Sequence, residues 1–147
     1  MKIVIQRVSR ARVVVDGVEK AAIGHGLLLL VGVEKDDGLD QAERAAEKIA
    51  HLRLFAGKGD RMDRSVLDIE GGVLVVSQFT LAGSLAKGRR PGFDSAAPPA
   101  QAEPIYLHFA EALRRTGARV ATGVFGAMME VELVNDGPVT FFLESAA

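Results

Sequence analysis

Leu133-Val134-Asn135-Asp136-Gly137-Pro138-Val139-Thr140-Phe141-Phe142-Leu143 sets two apolar, β-prone runs on either side of Asn135 to Pro138. Asp-Gly between such runs signals a hairpin, because glycine takes φ > 0 without a Cβ clash. The proline that follows departs from that pattern. It lacks the ladder donor just where the returning strand should begin. An X-Pro bond can also be cis, which would turn the carbonyls of Gly137 and Pro138 the same way. Only about 5–6% of X-Pro bonds are cis, so the local sequence by itself favours a hairpin with a trans proline.

Upstream of this tail the chain is rich in strands. Residues 2–8 are β-prone through Ile3, Val4, Ile5 and Val8. Arg12–Val15 and Val18–Ala21 form a hairpin about Asp16-Gly17. Gly26 to Val33 is a continuous apolar run bounded by glycines, which reads as a buried central strand. Asp37 is a candidate N-cap for a helix from Leu39 to about Arg53, with Ala42, Ala45, Ala46, Ile49 and Leu52 at helical spacing. Short strands are expected at Leu52–Phe55 and Ser65–Ile69, and a second buried strand at Val73–Phe79. Ala82 to Ala100 has no periodicity, and a loop of that length is usually functional or mobile. Gln101–Thr116 is a second helix, with Pro104 in its first turn and Gly117 as its stop. Arg119–Thr122, Met129–Val134 and Val139–Leu143 complete the strands.

So many strands cannot share one flat sheet. The expected fold is α/β with α+β character: a curved, double-layered mixed β-sheet or partial barrel, with two helices packed on one side. Its 147 residues suffice for one domain, spanning residues 1–147, whose core is mainly Val, Leu, Ile and Ala because Trp is absent and aromatics are only 5%.

Composition excludes several functions. No cysteine is present, so disulfides, thiol catalysis and Cys-based metal sites drop out. Gln6, Arg7, Arg10 and Arg12 interrupt any signal-peptide core, and the longest uncharged stretch, Gly71 to Ala86, is too polar for a spanning helix. The expectation is a soluble cytoplasmic protein with no membrane partner. A formal charge of −1 provides no general field for nucleic acid, but Lys87, Arg89 and Arg90 cluster in one glycine-rich segment. Lys58, Arg61 and Arg64 form a weaker group, diluted by Asp60 and Asp63. His25, His51 and His108 lie far apart and read as structural or solvated. No metal and no cofactor is expected, since neither a ligand cluster nor a P-loop or dinucleotide fingerprint is present.

Ser77 and Thr80 stand at a strand end beside the glycine-rich loop, a common place for a site. A hydrolytic triad would need a histidine in reach of one of them, and the sequence offers none. Taken alone, the two hydroxyls read as satisfying strand-end backbone groups.

Two stretches together change that balance. Ser77-Gln78-Phe79-Thr80-Leu81 and Asn135-Asp136-Gly137-Pro138-Val139-Thr140 resemble the two signature motifs of the D-aminoacyl-tRNA deacylases, also called the D-tyrosyl-tRNA deacylase family. Met1 to Val8, Gly26 to Gly32, Lys48 to Arg53, Lys87 to Phe93 and Gly123 to Ala127 look like the same family at matching spacing. The resemblance covers essentially the whole chain. Two departures are Gly92, where many members carry serine, and Met128, where many carry a polar residue.

The resemblance implies hydrolysis of the ester joining a D-amino acid to the terminal ribose of tRNA, as chiral proofreading in translation. It implies a homodimer with active sites at the interface, in which Gly137 and a cis Pro138 enter the partner's pocket. Two parallel carbonyls there would exclude an L side chain by clash and need no contact with a D side chain. Achiral glycine, as glycyl-tRNA mischarged on other tRNAs, would pass the same filter. Arg7 is a candidate to hold the turn, and Leu81 and Met129 to line the substrate pocket. Ser77 and Gln78 would shape the pocket and bind ribose or ester. Two chemistries stay open. Thr80 is a nucleophile, or the N–H groups of Phe79 and Thr80 form an oxyanion hole and the neighbouring ribose 2′-hydroxyl takes part. The missing base favours the second. Lys87, Arg89 and Arg90 would contact the tRNA backbone, with no DNA partner. Two other readings remain: a non-catalytic RNA-binding homodimer, disfavoured because no exposed aromatic platform is evident, and a Thr80-dependent small-ester hydrolase, disfavoured by the missing histidine.

Overall fold

A computed structural model describes residues 1–145. The elements run β1 (Lys2–Val15), β2 (Val18–Ile23), β3 (Gly26–Gly32), α1 (Leu39–His51), β4 (Phe55–Ala56), β5 (Met62–Arg64), β6 (Gly72–Ser77), a 3-10 turn (Phe79–Ala82), α2 (Pro99–Arg115), β7 (Arg119–Thr122) and β8 (Glu130–Glu144). β4 and β5 form a small ribbon of their own. The remaining six strands make one mixed sheet in the order β2-β1-β3-β6-β7, with β8 also on β1.

β1 organises that sheet. Its first half pairs antiparallel with β3 and its second half with β2, while β8 runs along both halves. Strands that change partners midway must bend, and the sheet curls into a nearly closed mixed barrel. One face of the curled sheet encloses Val8, Ala11, Val13, Leu28, Leu74 and Val76, with Met129, Val131 and Leu133 packed against them. The other face buries Ile3, Ile5, Leu27, Leu29, Val73 and Val75 against both helices. The successive leucines 27–29 are buried on both faces, as a central strand requires. β3–β6 and β6–β7 are parallel, with a helix in each connection.

α1 contributes Ala42, Ala45, Ala46, Ile49 and Ala50 to the helix-side core. From α2, the Tyr106 hydroxyl donates to the Val75 carbonyl at 2.9 Å, and burial pushes its pKa up to about 12. The two helices are also tied by His108 Nε2 and Glu43 Oε1, 2.7 Å apart.

Several local expectations are corrected. Residues 133–143 are not a hairpin. Both halves of β8 pair with β1, from Glu130 opposite Val14 to Glu144 opposite Lys2. Between the pairs Val8–Asn135 and Gln6–Thr140, β8 takes five steps to β1's two, so Asp136–Pro138 bulges out of a continuous strand. The missing N–H of Pro138 therefore falls where no ladder bond is needed. Asp37 is not the N-cap of α1. Its carboxylate accepts from the Glu34 N–H and from the Met1 amino group, both at 2.7 Å, and Gln41 Oε1 instead receives the Gly38 N–H at 2.8 Å. Ser65–Ile69 is a turn, because Ser65 and Asp68 exchange side-chain-to-backbone bonds at 2.8 and 3.1 Å. The Ser65 backbone N–H, and after it the Ser65 hydroxyl, hold the Asp68 carboxyl below the ordinary range. α2 begins at Pro99, favourable at a first helical position, so Pro104 sits in the second turn.

Candidate active site

The parallel strands β3 and β6 end together at Gly32 and Ser77, and the chain leaves β6 straight into the 3-10 turn. Ligand sites on parallel strands favour such carboxyl ends. Gln78 N–H donates to the Val31 carbonyl at 2.7 Å, which fixes the exit from β6. A Cβ on Gly32 would lie 2.9 Å from Leu81 Cβ and 3.0 Å from the Gln78 carbonyl, so glycine there lets the turn press against β3. Phe79 and Thr80 are consequently not the last residues of a strand. They open the 3-10 turn, where the leading N–H groups have no helical carbonyl to bond. Among the described residues neither N–H has another backbone acceptor.

The Thr80 hydroxyl accepts a short hydrogen bond from the Gln78 side-chain amide. An amide donor cannot remove the threonine proton. The three imidazoles are engaged elsewhere: His25 faces Asp136, His51 the Glu47 carbonyl, and His108 Glu43. Met129 lies beside this end of the sheet, since a Cβ on Gly123 would meet its sulfur at 2.9 Å and Val76 at 3.7 Å. Ser77, Gln78, Phe79, Thr80, Leu81 and Met129 are thus brought to one end of the barrel.

The loop that follows is closed at its neck. Ser84 and Gly92 exchange backbone bonds at 2.7 and 2.9 Å, and Ser95 Oγ donates to the Ala82 carbonyl at 2.9 Å. Its tip exposes Lys87, Arg89 and Arg90, none of them in an ion pair among the described residues. Gly92 contributes only backbone, with open space where a serine side chain would stand. Phe93 folds back onto Phe79, ring centroids 5.2 Å apart, leaving the two 37% and 56% exposed. The sequence reading found no exposed aromatic surface. This pair is one, built from residues 14 apart, and it removes the argument raised against RNA binding.

The second motif lies elsewhere. The Gly137–Pro138 peptide bond is cis, and both residues are exposed on the bulge of β8. Arg7 reaches it from β1. Its Nε donates to the Asp136 carbonyl at 3.1 Å and its Nη1 to the Leu54 carbonyl at 2.8 Å. Asn135 Nδ2 donates to the carbonyls of Arg7 and Val139, each at 3.0 Å, fastening both ends of the bulge. Sequence reading missed Asn135 and His25, although Asn-Asp-Gly inside an apolar strand was a visible signal for the first.

The two motifs do not meet within one chain. Ser77 is level with Val31 and Ile3, whereas the bulge is level with Arg7, four residues further along β1. That separation is about 13 Å along the strand. Around β8, Phe141 and Phe142 are also exposed, at about half of their surface.

Residues 4–144 match the family model described as D-Tyr-tRNA(Tyr) deacylase. The D-aminoacyl-tRNA deacylase of Geobacter metallireducens is 57% identical over 145 residues, covering 99% of this chain and 96% of its own. That of Thermomicrobium roseum is 56% identical over 146 residues, covering 99% and 95%. The solved structure of a c-Myc DNA Unwinding Element Binding Protein superposes with a TM-score of 0.93 at 44% identity, covering both chains fully. The structure titled as a probable eukaryotic D-amino acid tRNA deacylase gives 0.85 at 18% identity over 97% of each chain, a likeness of fold.

Proposed function

Since the chain belongs to the D-Tyr-tRNA(Tyr) deacylase family and is a D-aminoacyl-tRNA deacylase, we propose that it works as a cytoplasmic homodimer whose active sites each combine residues 77–81 of one subunit with the 136–138 bulge of the other. The observation that carries this reading is the separation of the two motifs along β1. A bulge braced by Arg7 and Asn135, yet about 13 Å from the pocket of its own chain, is well placed to serve a neighbour. The exposed phenylalanines of β8 flank it and provide apolar surface for association.

In this arrangement the ester carbonyl lies against the N–H groups of Phe79 and Thr80. Water adds to the carbonyl carbon, the developing oxyanion is held by those two donors, and the ribose oxygen leaves with a proton. The amino acid departs as its free carboxylate. The neighbouring 2′-hydroxyl of the substrate shuttles the proton, because Thr80 meets an amide donor and no base. Ser77 and Gln78 bound the ribose, and Leu81 and Met129 line the pocket. The carbonyls of Gly137 and Pro138 from the partner form a wall on which an L side chain clashes and a D side chain or a hydrogen does not. Glycyl-tRNA is accordingly a substrate. Lys87, Arg89 and Arg90 hold phosphates of the 3′ end.

Subunit mixing tests the arrangement. Phe79→Pro removes one donor at a helix position that tolerates proline, and Pro138→Trp puts a bulky side chain on the exposed bulge that enters the partner's pocket. Each variant alone loses deacylation. Random mixing after unfolding and refolding restores about a quarter of the parental activity, since half of the dimers are mixed and each carries one intact site. No restoration would place both motifs in one chain's site.

A further inference from the structure

The carboxylate of Asp136, at the root of the bulge, has two cationic or donor neighbours on the same oxygen. Arg7 Nε stands 3.5 Å from Oδ2 and His25 Nε2 stands 3.4 Å from it. We infer that His25 is a positioning residue for the bulge, acting through Asp136 on the orientation of Gly137 and Pro138. This inference rests on the reading of the bulge as the chiral filter.

The imidazole is not a free surface group that happens to lie nearby. Its ring meets Phe55 edge-on at 5.2 Å and 88°, and Phe55 is fully buried. Its backbone is fixed as well. The His25 carbonyl accepts the Gly72 N–H at 3.1 Å where β3 and β6 begin, and the strands are so close there that a Cβ on Gly26 would overlap the Gly72 carbonyl. The ring is thereby aimed from the sheet's edge toward β8, with Nε2 outward. Nε2 is the ring atom that faces the Asp136 carboxylate, 3.4 Å from Oδ2.

Arg7 alone leaves a degree of freedom. It binds the Asp136 carbonyl and one carboxylate oxygen from a single side, and its other hydrogen bond goes to Leu54. A second contact on the carboxylate, from the turn between β2 and β3, removes rotation about that link. Around the same hollow of about 600 Å³ stand Arg64, Asp68 and Glu70, and none of them is ion-paired with His25 or Asp136. His25 and Arg7 are therefore the groups that act on Asp136 among the described residues.

The test reads the ratio of kcat/KM for D- over L-aminoacyl-tRNA, which a merely stabilising residue does not move. His25→Phe keeps the contact with Phe55 and removes the donor. It lowers the ratio about threefold, within the range of a half-exposed pair. His25→Gln, which keeps an N–H in reach, restores most of it. In an Asp136→Asn background His25→Phe adds nothing further, because the effect passes through that carboxylate. An unchanged ratio in His25→Phe, or an equal loss with and without Asp136, overturns the inference. Gly137→Ala serves as the separate control. If it too leaves the ratio untouched, the filter reading fails and this inference falls with it. If it lowers the ratio and His25→Phe does not, only this inference fails.

Discussion

Replacing Gly137 with alanine tests how firmly the bulge is held. Gly137 sits at φ +122°, a region nearly reserved for glycine, and a Cβ there would stand 2.6 Å from Arg7 Nη2 and 2.9 Å from Val139 Cγ2. The backbone term alone is on the order of 1–3 kcal/mol. The contact term depends on whether Arg7 can retreat. Its head is tied to the Leu54 and Asp136 carbonyls, and hydrogen bonds to charged groups contribute about 1.5–3 kcal/mol when buried. The Arg7 side chain is 15% exposed, so water replaces only part of what is lost. A net destabilisation of about 3 kcal/mol follows, roughly 10 °C in Tm at about 4 °C per kcal/mol for a chain of this length. Gly88→Ala is the comparison. Gly88 has φ +63° and open space around its Cβ, so it carries a backbone cost of about 1–2 kcal/mol and no clash. Urea unfolding of both variants at one protein concentration, with m-values checked against the parent, separates the terms. A Gly137→Ala variant no less stable than Gly88→Ala would refute the claim that Arg7 clamps the bulge.

Thr80→Ala should retain deacylation within about tenfold of the parent in single-turnover assays, because its hydroxyl faces an amide donor. A loss on the order of 10⁴-fold in a folded protein would make Thr80 a nucleophile. Glu substituted at Arg89 and Arg90 together should weaken tRNA binding and flatten its log–log salt dependence by about 0.7 per lost single-strand phosphate contact. An unchanged slope would leave both as solvated surface. Ser65→Ala should raise the Asp68 pKa, read by NMR titration. Because folding depresses that pKa, the stabilisation exists above the ordinary carboxylate value of about 3.9 and is lost as pH falls through the folded value. The variant's deficit should therefore be larger at neutral pH than in acid, where the lost bond from the Asp68 N–H to Ser65 Oγ still separates it from the parent.

What the sequence made legible followed from local chemistry. Asp16-Gly17 takes φ of +50° and +76° and turns β1 into β2, as that dipeptide suggests. The leucine run became a buried strand with parallel and antiparallel neighbours, and the small-residue stripe of α1 packs against the sheet as its spacing indicates. The errors arose where a distant partner decides. Val134 and Val139 are equally β-prone whether they pair with each other or both with β1, so turn chemistry alone pointed to a hairpin. Ser65–Ile69 has strand-like residues, but one serine–aspartate exchange bends it. Phe79 and Thr80 looked like a strand end because nothing local announces that Gly32, 47 residues earlier, leaves room for a 3-10 turn. The site was legible mainly as family resemblance. Ser77 to Leu81 do gather at one end of the barrel, and the Gly137–Pro138 bond is cis. The pairing of His25 with Asp136 spans more than a hundred residues, and no spacing rule reaches that far.

Hydrolysis of D-tyrosyl- and L-tyrosyl-tRNA, charged on the same tRNA and followed with one preparation of the protein, tests the central claim most directly. The account predicts rapid release of D-tyrosine while L-tyrosyl-tRNA decays at the rate seen without protein. Equal release from both, or release from neither, would contradict it.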